Sequence, residues 1–438
     1  MENYFRELSE NMFTQLKGDE VLLLNYVGED SDFARFNRSR IRQAGYVRQQ
    51  TLQLVLIANQ RQSHAEFNLS GQLPLDQAQA MELVAKLRQQ LSLLPQDPFI
   101  HYATEPNNTR YFSENHLPDV DQVVTTIIDA TEKLDLVGIF ASGALSQGFA
   151  NSLGQFNWHT DYNFNFDWSV YHQGDKAVKQ NYAGFDWDTE CLLQKLAYAR
   201  ETLPLLGKAP RTIEPGHYRV FLAPAALREV LALLNWGGFG LKSHRTAQTP
   251  LLKMVREDVR LNAQVHIVEN HREGLVPGFT KEGFVLPASV SLIDSGVYQQ
   301  CLANQRSAKE YGAMVNCDVE HPQSMEVSNG ELQQDSILKE LGTGVYISNL
   351  WYCNYSDRNN CRMTGMTRFA CLWVENGVPI APLNVMRFDE SVLDMLGPKL
   401  VALTEEREQM FDPSTYEHRS NASCRLPGAL VEGFTFTL

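Results

Sequence analysis

The chain has 438 residues, 43% of them hydrophobic and 21% charged, which is ordinary globular usage with room for two domains or one large elaborated one. Its net charge of −14 argues against nonspecific grip on nucleic acid or on an anionic bilayer. Seven cysteines, an odd number scattered from Cys191 to Cys424, lack the dense even spacing of a secreted disulfide scaffold, the N-terminus carries acids where a signal peptide is basic, and no apolar run reaches the ~18 residues of a membrane span; the expected compartment is the cytoplasm.

In chain order, residues 20–26 read as a strand, followed by a polar turn at residues 28–32. Residues 35–43, RFNRSRIRQ, set four arginines around Ile41, a solvated strand face. A strong strand at residues 51–58 is followed by a polar strand or loop to Gly71. Asp76 is placed to cap a helix whose Ala80, Val84, Leu87, Leu91 and Leu94 share one face and which Pro95 ends. After Pro118 a second amphipathic stretch turns Val120, Val123, Val124, Ile127 and Ile128 inward. Residues 163–172, NFNFDWSVYH, alternate Phe164, Phe166, Trp168 and Val170 against Asn165, Asp167, Ser169 and Tyr171. Asp188 caps a helix ended by Pro204, and Gly207-Lys208-Ala209-Pro210 reads as a linker. The expected fold class is α+β: an N-terminal sheet-and-helix domain over residues 1–207, then a larger β-rich C-terminal domain over residues 208–438 with mixed or antiparallel sheets.

The second half opens with a strand at residues 217–222 and a helix from Pro224 through Leu234, stopped by Asn235-Trp236-Gly237-Gly238. Its richest stretch is residues 341–387. A buried strand at residues 345–350 leads into a polar loop at residues 354–360. Strands at residues 367–374 and 378–383 then flank Glu375-Asn376-Gly377, where Asn-Gly supplies the positive φ of a tight hairpin turn.

Thr343-Gly344, Thr364-Gly365 and the Trp373-Val374-Glu375-Asn376-Gly377 hairpin form an ordered series that resembles the TldD/PmbA family of metallopeptidase-related proteins. Arg38-x-x-Ile41-x-Gln43, Asn151-Ser152-Leu153-Gly154 and the Arg306 to Gly312 helix end are similar to further elements of that family, so the resemblance spans nearly the whole chain. In its catalytic TldD-type members, His-Glu-x-x-x-His on the helix after the first strand of the second half holds zinc. The equivalent helix here, AALREVLALL at residues 225–234, has no histidine. Cys424, in SNASCRLPG, resembles the position that supplies a third ligand, one residue of three. The resemblance therefore implies a TldE/PmbA-type subunit with no catalytic residue and no metal of its own. Zinc is expected in a TldD-type partner, a dimer with that partner or with itself, and an unfolded polypeptide as substrate.

Other chemistry is thin. His217 and His244 flank the helix 27 positions apart. His266 and His271 are expected on opposite faces of a strand at residues 263–268, and His159 and His172 bracket the aromatic strand and could approach across a hairpin. Cys353 and Cys361 stand eight apart, without paired zinc spacing. Gly-x-Ser-x-Gly and the phosphate-binding glycine loop are missing, and Lys242-Ser243-His244-Arg245 reads as a mobile basic loop. The polar side chains Asn354, Asp357, Arg358, Arg362, Thr364 and Arg368, set among strong strands, are the candidates for a substrate cleft or subunit contact. Two other readings stay open: a homodimeric peptidase with an atypical metal site, and a non-enzymatic interaction protein of the gyrase-modulator type.

Overall fold

The computed structural model describes residues 1–174 and 176–437. Its first half runs α1 (Glu2–Phe13), β1 (Val21–Asn37), β2 (Arg40–Ala58), β3 (Arg61–Asn68), α2 (Leu73–Leu91), β4 (Thr109–Phe112), α3 (Val120–Ala130), β5 (Asp135–Asn151), β6 (Phe156–Tyr171), β7 (Ala177–Gly184) and α4 (Thr189–Leu206). The strands make one seven-stranded sheet in the order β3-β2-β1-β5-β6-β4, with β7 also on β6. The α+β class is as the sequence suggests.

The turn expected at residues 28–32 does not form. Those residues lie inside β1, paired with β2 on one side and β5 on the other, because two-sided pairing outweighs local turn chemistry. Gly28 serves a different need: a Cβ there would lie 2.4 Å from the hydroxyl of Tyr26, which folds over it. The real turn is Arg38-Ser39, both at positive φ, the two-residue geometry that matches strand twist. In α2 the N-cap is Gln72. Asp76 works from inside the first turn, accepting from the Ser70 and Gly71 amides at 2.9 and 3.1 Å, and Leu94 lies beyond the helix end, exposed. The other helices follow their signals, with Asp119 and Asp188 capping α3 and α4.

The second half runs β8 (Gly216–Leu222), α5 (Pro224–Ala232), α6 (Leu241–Arg245), α7 (Leu252–Arg256), β9 (Ile267–Glu269), β10 (Val290–Asp294), β11 (Val297–Tyr298), α8 (Gln305–Tyr311), β12 (Ser324–Val327), α9 (Ile337–Leu341), β13 (Gly344–Ile347), β14 (Asn349–Asp357), β15 (Arg362–Arg368), β16 (Leu372–Glu375), β17 (Val378–Pro382), β18 (Arg387–Ser391), α10 (Val392–Met395), β19 (Leu400–Phe411) and β20 (Ser423–Phe436). These thirteen strands share one mixed sheet, with β20 contacting β8, β12, β18 and β19. Asn376 and Gly377, at φ 50° and 78°, make the expected tight turn between β16 and β17. Three other expectations are corrected. The polar stretch at residues 354–360 is mostly strand, because β14 continues to Asp357 against β15. The run at residues 367–374 breaks at Phe369, at φ 62°, which separates β15 from β16. The strand expected at residues 263–268 is reduced to the three residues of β9, leaving His266 before it.

Core packing joins the halves. Phe164, Phe166, Trp168 and Val170 of β6 are each buried to within 1% and pack with α3 and α4, and with Ala370 and Leu372 from the second half. Each such side chain contributes roughly 1.5–3 kcal/mol over leaving it in water.

A cleft between the two sheets

Among the described residues, one of the clefts lies where the edge of the first sheet meets the second. Its volume is about 490 Å³, and its walls are β7, α4, the β8–α5 turn, β13 and β19. Among the described residues β7 pairs with β6 alone, and its other edge lies along the cleft beside β19 without a strand partner. On that edge the side-chain oxygens of Gln180 and Asn181 are buried without a hydrogen-bond partner among the described residues. Facing them, Lys195 of α4 pairs with Glu408 of β19, and Arg407 pairs with Glu326 at 3.0 Å. Tyr198 and Tyr346 also line the cleft, and burial raises both phenols, so they stay protonated.

Helix α5 stands at the cleft because Pro224 opens it directly after β8 and an apolar face of Ala226, Leu227, Val230 and Leu231 packs inward. Its outer face carries Arg228, Glu229 and Ala232. Arg228 makes no hydrogen bond or ion pair among the described residues, and Lys179 of β7 sits 3.5 Å from Asp167. Burial raises the Asp167 carboxyl, with Lys179 and Arg228 pulling the other way. Cys424, on β20, has its thiol pushed up to about 11 by burial, again with Arg228 opposing. A zinc site needs a deprotonated thiolate and imidazoles converging on one point. Cys424 has no imidazole from α5 to join it, and no group of three His, Cys, Asp or Glu among the described residues is placed to hold a metal ion.

The histidines are occupied elsewhere. His159 bonds Asp161 at 2.5 Å, and His172 lies just past the far end of the same strand, so the two do not meet across a hairpin. His244 lies on α6, a helix where a loop was expected, bonds the Gly238 carbonyl at 2.8 Å and stacks on Tyr298. His266 pairs with Asp294 at 2.6 Å, and His217 reaches Thr435 at 3.1 Å.

The six polar candidates share the β14–β15 hairpin. Asp357 accepts from the Asn359 and Asn360 amides at 3.1 and 3.2 Å, shaping the turn. Arg358 ties that turn to the segments after α5 and after α6 through the carbonyls of Trp236 and Gln248. Arg362 pairs with Asp389, and Thr364 donates to the Phe388 carbonyl at 2.8 Å. Asn354 is exposed, and Arg368 lies over the half-exposed ring of Trp351. The cleft residues Lys179, Gln180, Asn181, Lys195 and Glu408 escaped sequence reasoning. Their only local signal is polarity, which marks any solvated face equally well.

Residues 215–438, slightly more than half the chain, match the family model described as the PmbA/TldA metallopeptidase C-terminal domain. The chain belongs to the TldD/PmbA family. No curated protein matches it. Among solved structures, TldE from Thermococcus kodakarensis superposes with a TM-score of 0.81 at 15% identity, covering 99% of this chain and 100% of that one. A putative modulator of a DNA gyrase from Thermotoga maritima gives 0.76 at 15% identity over 99% and 100%. A second putative modulator of DNA gyrase, from Bacteroides thetaiotaomicron, gives 0.75 at 13% over 99% and 98%. At these identities the likeness is one of fold, and it extends over 99% of this chain.

Proposed function

We propose that this chain is the TldE/PmbA-type subunit of a cytoplasmic zinc peptidase system, paired with a TldD-type subunit that carries the metal, and that it holds unfolded or flexible polypeptide rather than cleaving it. The observation that carries this reading is helix α5, where catalytic TldD-type members have His-Glu-x-x-x-His and this chain, AALREVLALL at residues 225–234, has no histidine. Zinc would lower the pKa of a bound water to about 7; nothing on this helix does so. The open edge of β7 supports polypeptide binding, since an added strand bonds through its backbone and is indifferent to sequence. The buried acceptors of Gln180 and Asn181 gain donors when a peptide amide arrives. We assign the exposed side of the β14–β15 hairpin, with Trp351, Tyr352, Asn354 and Arg368, to contact with the TldD-type subunit; Asp357, Arg358, Arg362 and Thr364 set its shape.

Purified chain, a TldD-type subunit and zinc are mixed, and cleavage of an unstructured peptide is followed against each subunit alone. The mixture should cleave and this chain alone should not. Equal cleavage by this chain alone sinks the reading.

A further inference from the structure

Between the first sheet and the second half lies a further cavity of about 280 Å³, walled by β1 and β5, by residues 269–286 and 317–323, and by a strap at residues 418–422. It shares no lining residue with the cleft of β7 and β19. Glu29 reaches it from β1 and is 4% exposed. One oxygen of its carboxylate accepts from the Gln49 side chain at 2.8 Å and from the Arg419 amide at 3.2 Å. The other is buried without a partner among the described residues. A carboxylate oxygen left unmet in the interior costs free energy that an arriving donor recovers. The cations at hand do not supply that donor. Arg419 spends its guanidinium on Ser31 and Asn163, and Lys281, on the second-half wall, is exposed and forms no ion pair among the described residues.

The rest of the lining narrows the donor to one chemical class. An anion is disfavoured, because Glu29, Glu269 and Asp318 all border the space and its imidazoles bring no counter-charge. Burial lowers His271 and His321 below the usual imidazole range, so both are neutral near pH 7. His271 donates from Nδ1 to the Pro287 carbonyl at 2.8 Å, which leaves Nε2 as a bare acceptor. A divalent ion lacks its ligands, since no three His, Cys, Asp or Glu side chains among the described residues are placed to hold one. Acceptors without a metal geometry suit an organic cation. Size and polarity limit it further. About 280 Å³ falls below the ~300–1,000 Å³ of drug-sized ligand sites. Leu145 stands directly opposite Glu29 in the sheet, and Phe279 adds a second apolar wall. A primary ammonium, compact and carrying three donors, matches this space better than a planar guanidinium.

We propose that this cavity binds a small primary ammonium ion with an apolar body, its charge on the free oxygen of Glu29 and its carbon chain against Leu145 and Phe279. The wall that yields to admit it is the strap at residues 418–422, which has no regular secondary structure. Free amines and the N-terminal residue of a short peptide share that chemistry. The site is separate from the cleft and stands whether or not the chain serves a TldD-type subunit.

Saturation-transfer NMR on the full chain at neutral pH tests this with three probes: 3-methylbutylamine, the tripeptide Leu-Gly-Gly, and N-(3-methylbutyl)acetamide, which keeps the apolar body and loses the charge. At least one of the charged probes should bind, and the acetamide should bind roughly tenfold more weakly or not at all. The two charged probes tell the sources apart: preference for Leu-Gly-Gly assigns the site to peptide N-termini, and preference for the amine assigns it to free amines. Glu29→Gln, which keeps an acceptor for the Arg419 amide, should weaken the charged probe by roughly tenfold or more. Val319→Trp, which fills the cavity from its second-half wall, should abolish binding, with circular dichroism confirming that both variants are folded. Failure of both charged probes to bind, equal binding of the acetamide, or an affinity unchanged in either variant overturns the proposal.

Discussion

Glu269 is 2% exposed and rests in a cradle of the Gln323 and Ser324 amides at 2.9–3.1 Å. Burial outweighs those donors and raises its carboxyl to about 7. The folded value lies above the ~4.3 of an unfolded chain, so folding takes up a proton. This contribution to stability is full below about pH 4 and is lost as pH rises through 7, on the order of 2–4 kcal/mol in all. Glu282, raised to about 8 chiefly by burial, acts in the same direction. Glu269→Gln, neutral throughout, should flatten part of the fall in urea midpoint between pH 5 and 8; a slope equal to that of the parent chain contradicts this account. Single residues were the hardest scale to read from sequence. Glu269 shows as one acid after an apolar pair, and its cradle comes from residues more than fifty positions away. The family itself was legible because short ordered patterns such as Thr343-Gly344, Thr364-Gly365 and the hairpin at residues 373–377 mark it. The unpaired donors of Arg228 and the buried oxygens of Gln180 and Asn181 were not, since sequence shows that a residue is polar and hides whether its partner arrives.

Elements were legible where one face is apolar and the other wet. Helices α2, α3 and α4, the β6 alternation and the Asn376-Gly377 hairpin all follow from periodicity and turn chemistry. The misreadings share a cause: Gly-Glu-Asp-Ser-Asp and Asn-Tyr-Ser-Asp look like loops, yet β1 and β14 run through them because a neighbouring strand satisfies their backbone. Gly143 shows how close that pairing is. It lies at φ 149°, and a Cβ would stand 2.1 Å from the Asp30 carbonyl. Gly143→Ala should therefore part β5 from β1 and lower stability by roughly 1–3 kcal/mol. Thermal unfolding measures it, and an unchanged midpoint removes the argument.

At the scale of the molecule, Arg419 of the loop between β19 and β20 reaches across to the first sheet. Its guanidinium bonds Asn163 and, at 3.3 Å, the Ser31 hydroxyl, while its amide donates to Glu29 at 3.2 Å. Burial lowers it to about 10, with Glu29 opposing, so it remains charged near neutrality. Arg419→Ala leaves Asn163 and Ser31 short of a partner and should cost about 2–4 kcal/mol. Limited proteolysis should then cut the chain between Leu206 and Gly216 faster than in the parent, and equal rates refute the pin. The other consequence comes from the sheet order. Strand β8 waits for β13, more than a hundred residues on, and for β20, more than two hundred residues on. A nascent second half therefore exposes bare apolar edges while its partners are still being synthesised, and such distant pairings close slowly. Yield in a foreign host will then follow holdase supply and growth temperature more closely than the finished fold's resistance to heat.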